Sequence, residues 1–292
     1  MLQDLTRGHS TMIIVTGATG NVGRPLLQAL AATGEKVTAV SRRIADAAVP
    51  AGVMTAAADL TDPQGLRPVF DGADALFLHD GGASAHMLRP RDILDAAGAA
   101  GVRRVVLLSS QGVRTRPESQ SHGVLLRSIE DAVRQSGLDW TILRPGGFNS
   151  NTYAWADSIR TERTVVAPFG HVGIPTIDPA DIAGVAAAAL REGSHAGQIY
   201  ELTGPTLITP RQRTEAISDA LGEPVRFIEQ TRDEARAQML QFMPEWAVDT
   251  TLAVLEEPTV AERQISPAVE QVLGRAPRTF ADWFQDHIPA FR

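Results

Sequence analysis

The sequence predicts an α/β protein: a doubly wound parallel sheet with a small α+β C-terminal lobe. Three observations carry this. The apolar run Ile13-Ile14-Val15 ends in glycines spaced G-x-x-G-x-x-G, and a helical pattern from Arg24 to Leu30 follows at once. From there to about residue 145, strand-length apolar runs alternate with helical stretches over short connections, the order of a parallel sheet with crossover helices. Beyond Ser150 the strict alternation fades. The expected division is residues 12–150 for the sheet domain. Residues 151–292 are expected to form a smaller, substrate-covering lobe, some of whose segments return to the sheet.

Composition narrows the classes. The chain has 292 residues, enough for a sizeable core, and a formal net charge of −7. An acidic balance argues against general nucleic-acid binding, which needs a basic face to replace counterions. There are no cysteines, which removes disulfides, thiol catalysis and cysteine metal sites. No stretch approaches the roughly 20 apolar residues of a membrane helix. No metal cluster is expected. The expectation is a cytoplasmic protein, a monomer or homodimer, acting on a small molecule. Met1 to Thr11 read as an extension before the first strand, with Met12 a candidate start.

The first strand runs into Gly17-Ala18-Thr19-Gly20-Asn21-Val22-Gly23. Glycine permits a tight turn and close approach of backbone to a pyrophosphate, and the N–H groups opening a helix meet negative charge. These seven residues are therefore expected to hold a dinucleotide. An ordinary glycine-rich turn is the plain alternative; the agreement of strand, glycines and helix in order weighs against it. Lys36 to Val40 is the second strand, ending in Ser41-Arg42-Arg43. An acid at that strand end would bind the ribose 2′-hydroxyl of NAD. A hydroxyl and two guanidiniums suit a 2′-phosphate instead, so the expected cofactor is NADP(H); a solvated basic loop is the plain alternative.

Gly52 to Ala58 is a weak third strand, leading to Asp59 and Leu60 beside the expected adenine position. Asp59 reads either as an acceptor for the adenine amino group or as a cap for the turn at Pro63. Ala73 to His79 is the next strand, and Leu78 and His79 are expected beside the cofactor, followed by an open loop at Asp80-Gly81-Gly82. Pro90 to Ala100 is helical. Val105 to Leu108 is a buried strand ending in Ser109 and Ser110. His122 to Gly137 is expected to be one helix with Val124, Leu125, Ile129 and Val133 on its apolar face. Trp140 to Pro145 is a strand, with Trp140 expected in the core, and Pro145-Gly146-Gly147-Phe148 turns it off the sheet toward the cofactor. Sites in such sheets lie at the carboxyl ends of the strands, where these residues fall.

Asn151 to Arg160 looks helical. Asp178 is placed as an N-cap with Pro179 the first helical residue. Gly197 to Thr203 and Val225 to Glu229 are late strands, and Thr231 to Glu257 reads as helical. Trp155, Phe169, Met239 and Met243 are candidates for an adaptable substrate pocket, or plain core.

Gly17 to Gly23, Leu108-Ser109-Ser110, Thr141 to Phe148, Asp178 to Ala183, Tyr200 to Gly204 and Pro277 to Phe280 together resemble the NmrA-like group of atypical short-chain dehydrogenase/reductases. The resemblance implies a Rossmann domain binding NADP(H) and a small lobe over the nicotinamide. Members reduce quinones or carbonyls, or bind the nucleotide as regulators without turnover. The usual Tyr-x-x-x-Lys pair is missing: Gly123 and Arg127 stand at those places. Arg127 can hold the ribose but is a poor proton donor. His122 is the best remaining acid, or a plain helix-start histidine, and Ser110 is the third catalytic candidate. Gln111 and Asn149 are expected to donate to the substrate. The expected reaction is hydride transfer from NADPH to a quinone or activated, aromatic or polyketide-like carbonyl; the alternative is an NADP(H) sensor.

Overall fold

A computed structural model describes residues 11–79 and 82–292. Elements alternate as the apolar pattern implies: β1 (Met12–Thr16), α1 (Gly23–Ala32), β2 (Lys36–Ser41), β3 (Met54–Ala57), α2 (Pro63–Phe70), β4 (Ala75–His79), α3 (Pro90–Ala99), β5 (Arg104–Leu108), α4 (Gly112–Thr115), α5 (Leu126–Gln135) and β6 (Asp139–Pro145). There follow α6 (Ala156–Glu162), β7 (Thr164–Pro168), α7 (Pro179–Arg191), β8 (Gln198–Leu202), α8 (Pro210–Leu221), β9 (Arg226–Gln230), α9 (Arg232–Met239), α10 (Glu245–Glu256), α11 (Ala268–Leu273) and α12 (Phe280–His287). A seven-stranded sheet has the order β3-β2-β1-β4-β5-β6-β8. β1 pairs parallel with both β2 and β4, so the order reverses beside β1. The glycine turn thus leaves the sheet at its topological switch point.

The chain forms two compact units. One comprises Met1–Leu107, Asp131–Thr141 and Ala186–Gln198; the other comprises Leu108–Glu130, Ile142–Val185 and Ile199–Arg292. The first is built on β1, whose Ile13, Ile14 and Val15 are fully buried, with Leu26, Leu27 and Leu30 of α1 also in the core. A strand buried on both faces needs such a continuous apolar run. The second unit has an aromatic core of Ile159, Val165, Ile217, Phe280, Trp283, Phe284 and Phe291. Here Tyr153 stacks on Phe291 and meets Trp283 edge-on.

Several expectations need correction. His122 to Gly137 is not one α-helix: a π-helical turn spans Gln120–Leu125 before α5 begins. That wider turn carries Val124 outward, where it is exposed rather than on the apolar face. Asn149–Trp155 is a 3₁₀ stretch, with α-helix only from Ala156. The single helix expected over Thr231 to Glu257 is two, α9 and α10, because Pro244 cannot continue the first and caps the second. β7 went unread in the sequence; it pairs parallel with β9 in a separate two-stranded sheet. Asp59 does not cap α2. Asp62 does, accepting from the Gln64 N–H. Trp140 is half-buried, with the Arg134 guanidinium 6.0 Å above its ring. Asp178 holds its expected place, accepting from Ala180 N at 2.8 Å ahead of Pro179. Asp80 and Gly81 lie outside the described residues, as do the first ten.

Candidate functional site

In the first unit the glycine turn is sterically specified. Gly17 sits at φ +62°, and a Cβ there would meet the His79 ring at 2.8 Å. A Cβ on Gly23 would lie 2.2 Å from the Gly17 carbonyl oxygen. Only glycine allows both the left-handed backbone and the closeness of turn to helix. Thr16 locks the adjoining strands, its hydroxyl donating to Phe77 O at 2.8 Å and accepting from His79 N at 2.9 Å. α1 begins at Val22 without a side-chain cap and has no acid in its first turn. Its opening N–H groups keep their positive field, the condition for receiving a phosphate. Ala18 and Val22 are buried, so only their backbone can serve a ligand.

The end of β2 is tied to this turn, for the Ser41 and Thr19 hydroxyls lie 3.2 Å apart. Arg42 and Arg43 follow, both exposed. Asp59 accepts from both the N–H and hydroxyl of Thr61, at 2.9 Å each. Those hydrogen bonds, with the charge of Arg42 adding to them, hold its carboxyl below the usual range. Leu60 is half-buried beside it. Leu78 is only 1% exposed, a core side chain with nothing but backbone to offer. The residues present therefore fit a dinucleotide: a glycine cradle that a Cβ would fill, an uncapped helix, and a hydroxyl with two cations at the adjoining strand end.

The second unit holds the other candidates. Ser109 is not open to a ligand: its hydroxyl donates to Glu130 Oε1 at 2.7 Å, and Glu130 is fully buried. Glu130 also takes two hydrogen bonds from Arg144, at 2.9 and 2.7 Å. Those hydrogen bonds raise the Arg144 pKa above its ordinary value, against the opposing effect of burial. Sequence reasoning missed this pair; its signal was an acid and a base in otherwise apolar runs. Arg144 leans toward Glu201, which Arg114 clamps with two donors.

Ser110 and His122 are brought together around Gly112. A Cβ on Gly112 would meet the His122 Cβ at 2.4 Å and the Ser110 hydroxyl at 3.4 Å. His122 Nδ1 lies 2.7 Å from the Ser121 hydroxyl. A hydroxyl chain continues to Ser119 at 3.0 Å and on to Thr250 at 2.9 Å. Arg127 is exposed and donates to Val113 O at 2.9 Å. Gly123 is enclosed by backbone, for a Cβ there would lie 2.2 Å from Arg116 O and 2.5 Å from Pro117 O. The tyrosine of the usual pair has no room in this conformation.

Gln111 N donates to Pro145 O, and its side-chain amide lies over Gly146, 3.2 Å from where a Cβ would stand. Gly147 and Asn149 pair through backbone with Ile177, which fixes Phe148 between them. The Asn149 side chain departs from expectation. It is fully enclosed, and neither amide atom has a partner among the described residues. It is not at an open surface able to donate to a substrate. Phe169, Met239 and Met243 pack against Ala235, Val248 and Leu252, so the apolar residues proposed for a pocket largely hold α9 to α10. Among the described residues no group of three acids and histidines forms a metal site.

A family model described as NAD(P)H-binding matches residues 17–193. The chain belongs to that NAD(P)H-binding family. It is 37% identical over 284 residues to a (4-alkanoyl-5-oxo-2,5-dihydrofuran-3-yl)methyl phosphate reductase of Streptomyces griseus, covering 96% of this chain and 99% of the relative. It is 32% identical over 286 residues to an NAD(P)H azoreductase of Xenophilus azovorans, with the same coverage. The crystal structure of an NADPH-dependent quinone oxidoreductase of Escherichia coli shares its fold, with TM-score 0.75 and 24% identity over 95% of this chain and 99% of that one. The protein is an NAD(P)H-dependent oxidoreductase of that family. No helix among the described residues is long and apolar enough to cross a membrane.

Proposed function

We propose that the protein transfers hydride from NADPH to a quinone or other activated conjugated acceptor, without a tyrosine acid. The observation that carries this reading is the enclosure of position 123 by the carbonyls of Arg116 and Pro117. With no phenol available, an acceptor whose reduced oxygen is a weak base suits the site best. The names of the relatives agree in kind: a conjugated lactone, an azo compound and a quinone all accept hydride readily. Bound NADPH supplies the hydride. The chain's residues do the rest. Gly17 to Gly23 and Ser41 to Arg43 hold the dinucleotide, the arginines through its 2′-phosphate. His122 gives a proton to the acceptor oxygen, and the Ser121–Ser119–Thr250 hydroxyl chain returns one through Nδ1. Arg127 and Ser110 orient the ribose and acceptor. Residues 151–292 cover the substrate, with Trp155 against it.

The test is enzyme-dependent loss of NADPH near-ultraviolet absorbance across a panel of quinones and aromatic ketones. His122→Gln is expected to lower kcat about 100-fold for ketones, within the usual range for a general acid, and much less for quinones. Equal losses on both would remove His122 from the proton path. No turnover with any acceptor would overturn the reductase reading.

A further inference from the structure

Arg213 lies in the first turn of α8, in the second unit, and is 6% exposed. A buried guanidinium ordinarily has a carboxylate partner. Arg213 has none: among the described residues it forms no ion pair and no side-chain hydrogen bond. Its Nε is sealed from solvent without an acceptor, whereas its two terminal nitrogens are not among the sealed atoms. The guanidinium carbon lies 5.0 Å from the centroid of the Trp155 ring, and the terminal nitrogens are left to meet something else.

Its neighbours make the contrast sharper. Arg211, two residues earlier, stacks on Phe227 and also pairs with Glu229 at 2.6 Å. Arg278 and Arg116 reach buried carboxylates, Asp178 and Glu262. Arg213 is placed at a helix N-terminus, where a cation is unfavourable, and α8 has no acid in its first turn to offset it. Burial brings its pKa down to about 10, so it remains a cation at neutral pH. Trp155 ends the 3₁₀ stretch that begins at Asn149, and the reductase reading above sets it against the substrate, which would bring the guanidinium to the acceptor.

We propose that Arg213, over the Trp155 ring, is a substrate anchor that binds an oxyanion carried by the acceptor: a phosphate, sulfonate or carboxylate. A planar fork of N–H donors in a dry setting matches such a group in shape and charge. The acceptor is then an anionic conjugated compound, and the anchor selects it by charge while the hydride site selects it by redox chemistry. The turnover arm of this inference rests on the reductase reading above; the binding arm does not.

The experiment compares 1,4-naphthoquinone with its 2-sulfonate. Wild-type protein is expected to prefer the sulfonate, and Arg213→Met to cut the ratio of the two kcat/KM values at least tenfold, with Arg213→Lys in between. A ratio unmoved by Arg213→Met would overturn the proposal. The binding arm titrates 2-naphthalenesulfonate into NADP⁺-loaded protein by calorimetry. Tenfold weaker binding in Arg213→Met supports the anchor even if neither quinone is reduced; equal binding overturns it. Inorganic phosphate binding as tightly as the sulfonate would overturn the substrate role, since it marks a general anion site. A thermal melt separates a structural arginine from an anchor. Arg213→Met is expected to melt at or above the wild-type temperature, because it removes an unpartnered buried charge. A markedly lower melting temperature would assign Arg213 to the fold and overturn the proposal.

Discussion

Arg144 and Arg213 belong to the same unit, both are largely buried, and they meet the same electrostatic problem in opposite ways. Arg144 has a complete partner. Glu130 accepts two of its donors and the Ser109 hydroxyl as well, so the carboxylate is satisfied on both oxygens. Arg213 has an indole face and, among the described residues, no anionic partner. A cation–π contact contributes about 0.5–2 kcal/mol, while taking a charge out of water costs several. The first arrangement stabilises a particular backbone path from α5 to β6. The second retains an unfavourable charge that only a ligand would offset. Buried charge with a partner marks structure; buried charge without one marks function.

The comparison can be broken most forcefully at Glu130. Glu130→Ala leaves Arg144 only the more distant Glu201, at 4.0 Å, and also strips Ser109 of its acceptor. Stability is expected to fall by about 3–5 kcal/mol, read from urea or thermal unfolding. A loss below about 1 kcal/mol would mean that solvent reaches Arg144 after all.

Glu262 sharpens the same point through pH. Burial raises its pKa, but hydrogen bonds from Arg116 and from the Thr259 N–H overcome that and hold it below the ordinary value of 4.5. A carboxyl depressed in the folded state contributes stability that is present above its unfolded pKa and lost as pH falls through the folded one. The wild type should therefore lose stability on acidification from about pH 4.5 downward. Glu262→Gln should begin about 1–3 kcal/mol less stable at pH 7, the value of a charged hydrogen bond, and decline less steeply over that range. Parallel acid limbs for the two proteins would show that Glu262 titrates alike in both states.

Arg42 and Arg43 are the exposed counterpart, and their replacement should leave folding almost untouched. Alanine at both is expected to weaken NADPH binding at least tenfold, about 1.4 kcal/mol, and NADH binding far less. Fluorescence titration of both nucleotides decides it, and equal losses would remove the 2′-phosphate assignment. The smallest effect is expected from replacing the polar network whole. Ser109→Ala, Glu130→Leu and Arg144→Met combined should recover to within about 1 kcal/mol of wild type, because an apolar set of similar volume leaves no stranded charge.

The sequence by itself determined the sheet and the glycine turn. The apolar run Ile13 to Val15, ending in a glycine turn with a helix behind it, suits a strand buried on both faces, and Gly17 and Gly23 answer to local sterics that their spacing already announces. The helix start at Pro179 was legible for the same reason, since an Asp-Pro cap acts within a few residues. What only the tertiary structure decided involved partners distant in the chain. Ser109 looked like a ligand contact until Glu130 and Arg144 took it, and Asn149 looked open until its surroundings enclosed it. The π-helical turn at Gln120–Leu125 and the β7–β9 pair have no local signature. The absence of an anionic partner for Arg213 among the described residues is the clearest case, because a missing contact has no sequence pattern. Local rules follow from backbone geometry and periodicity, whereas charge pairing depends on which remote side chains the fold brings within a few ångströms.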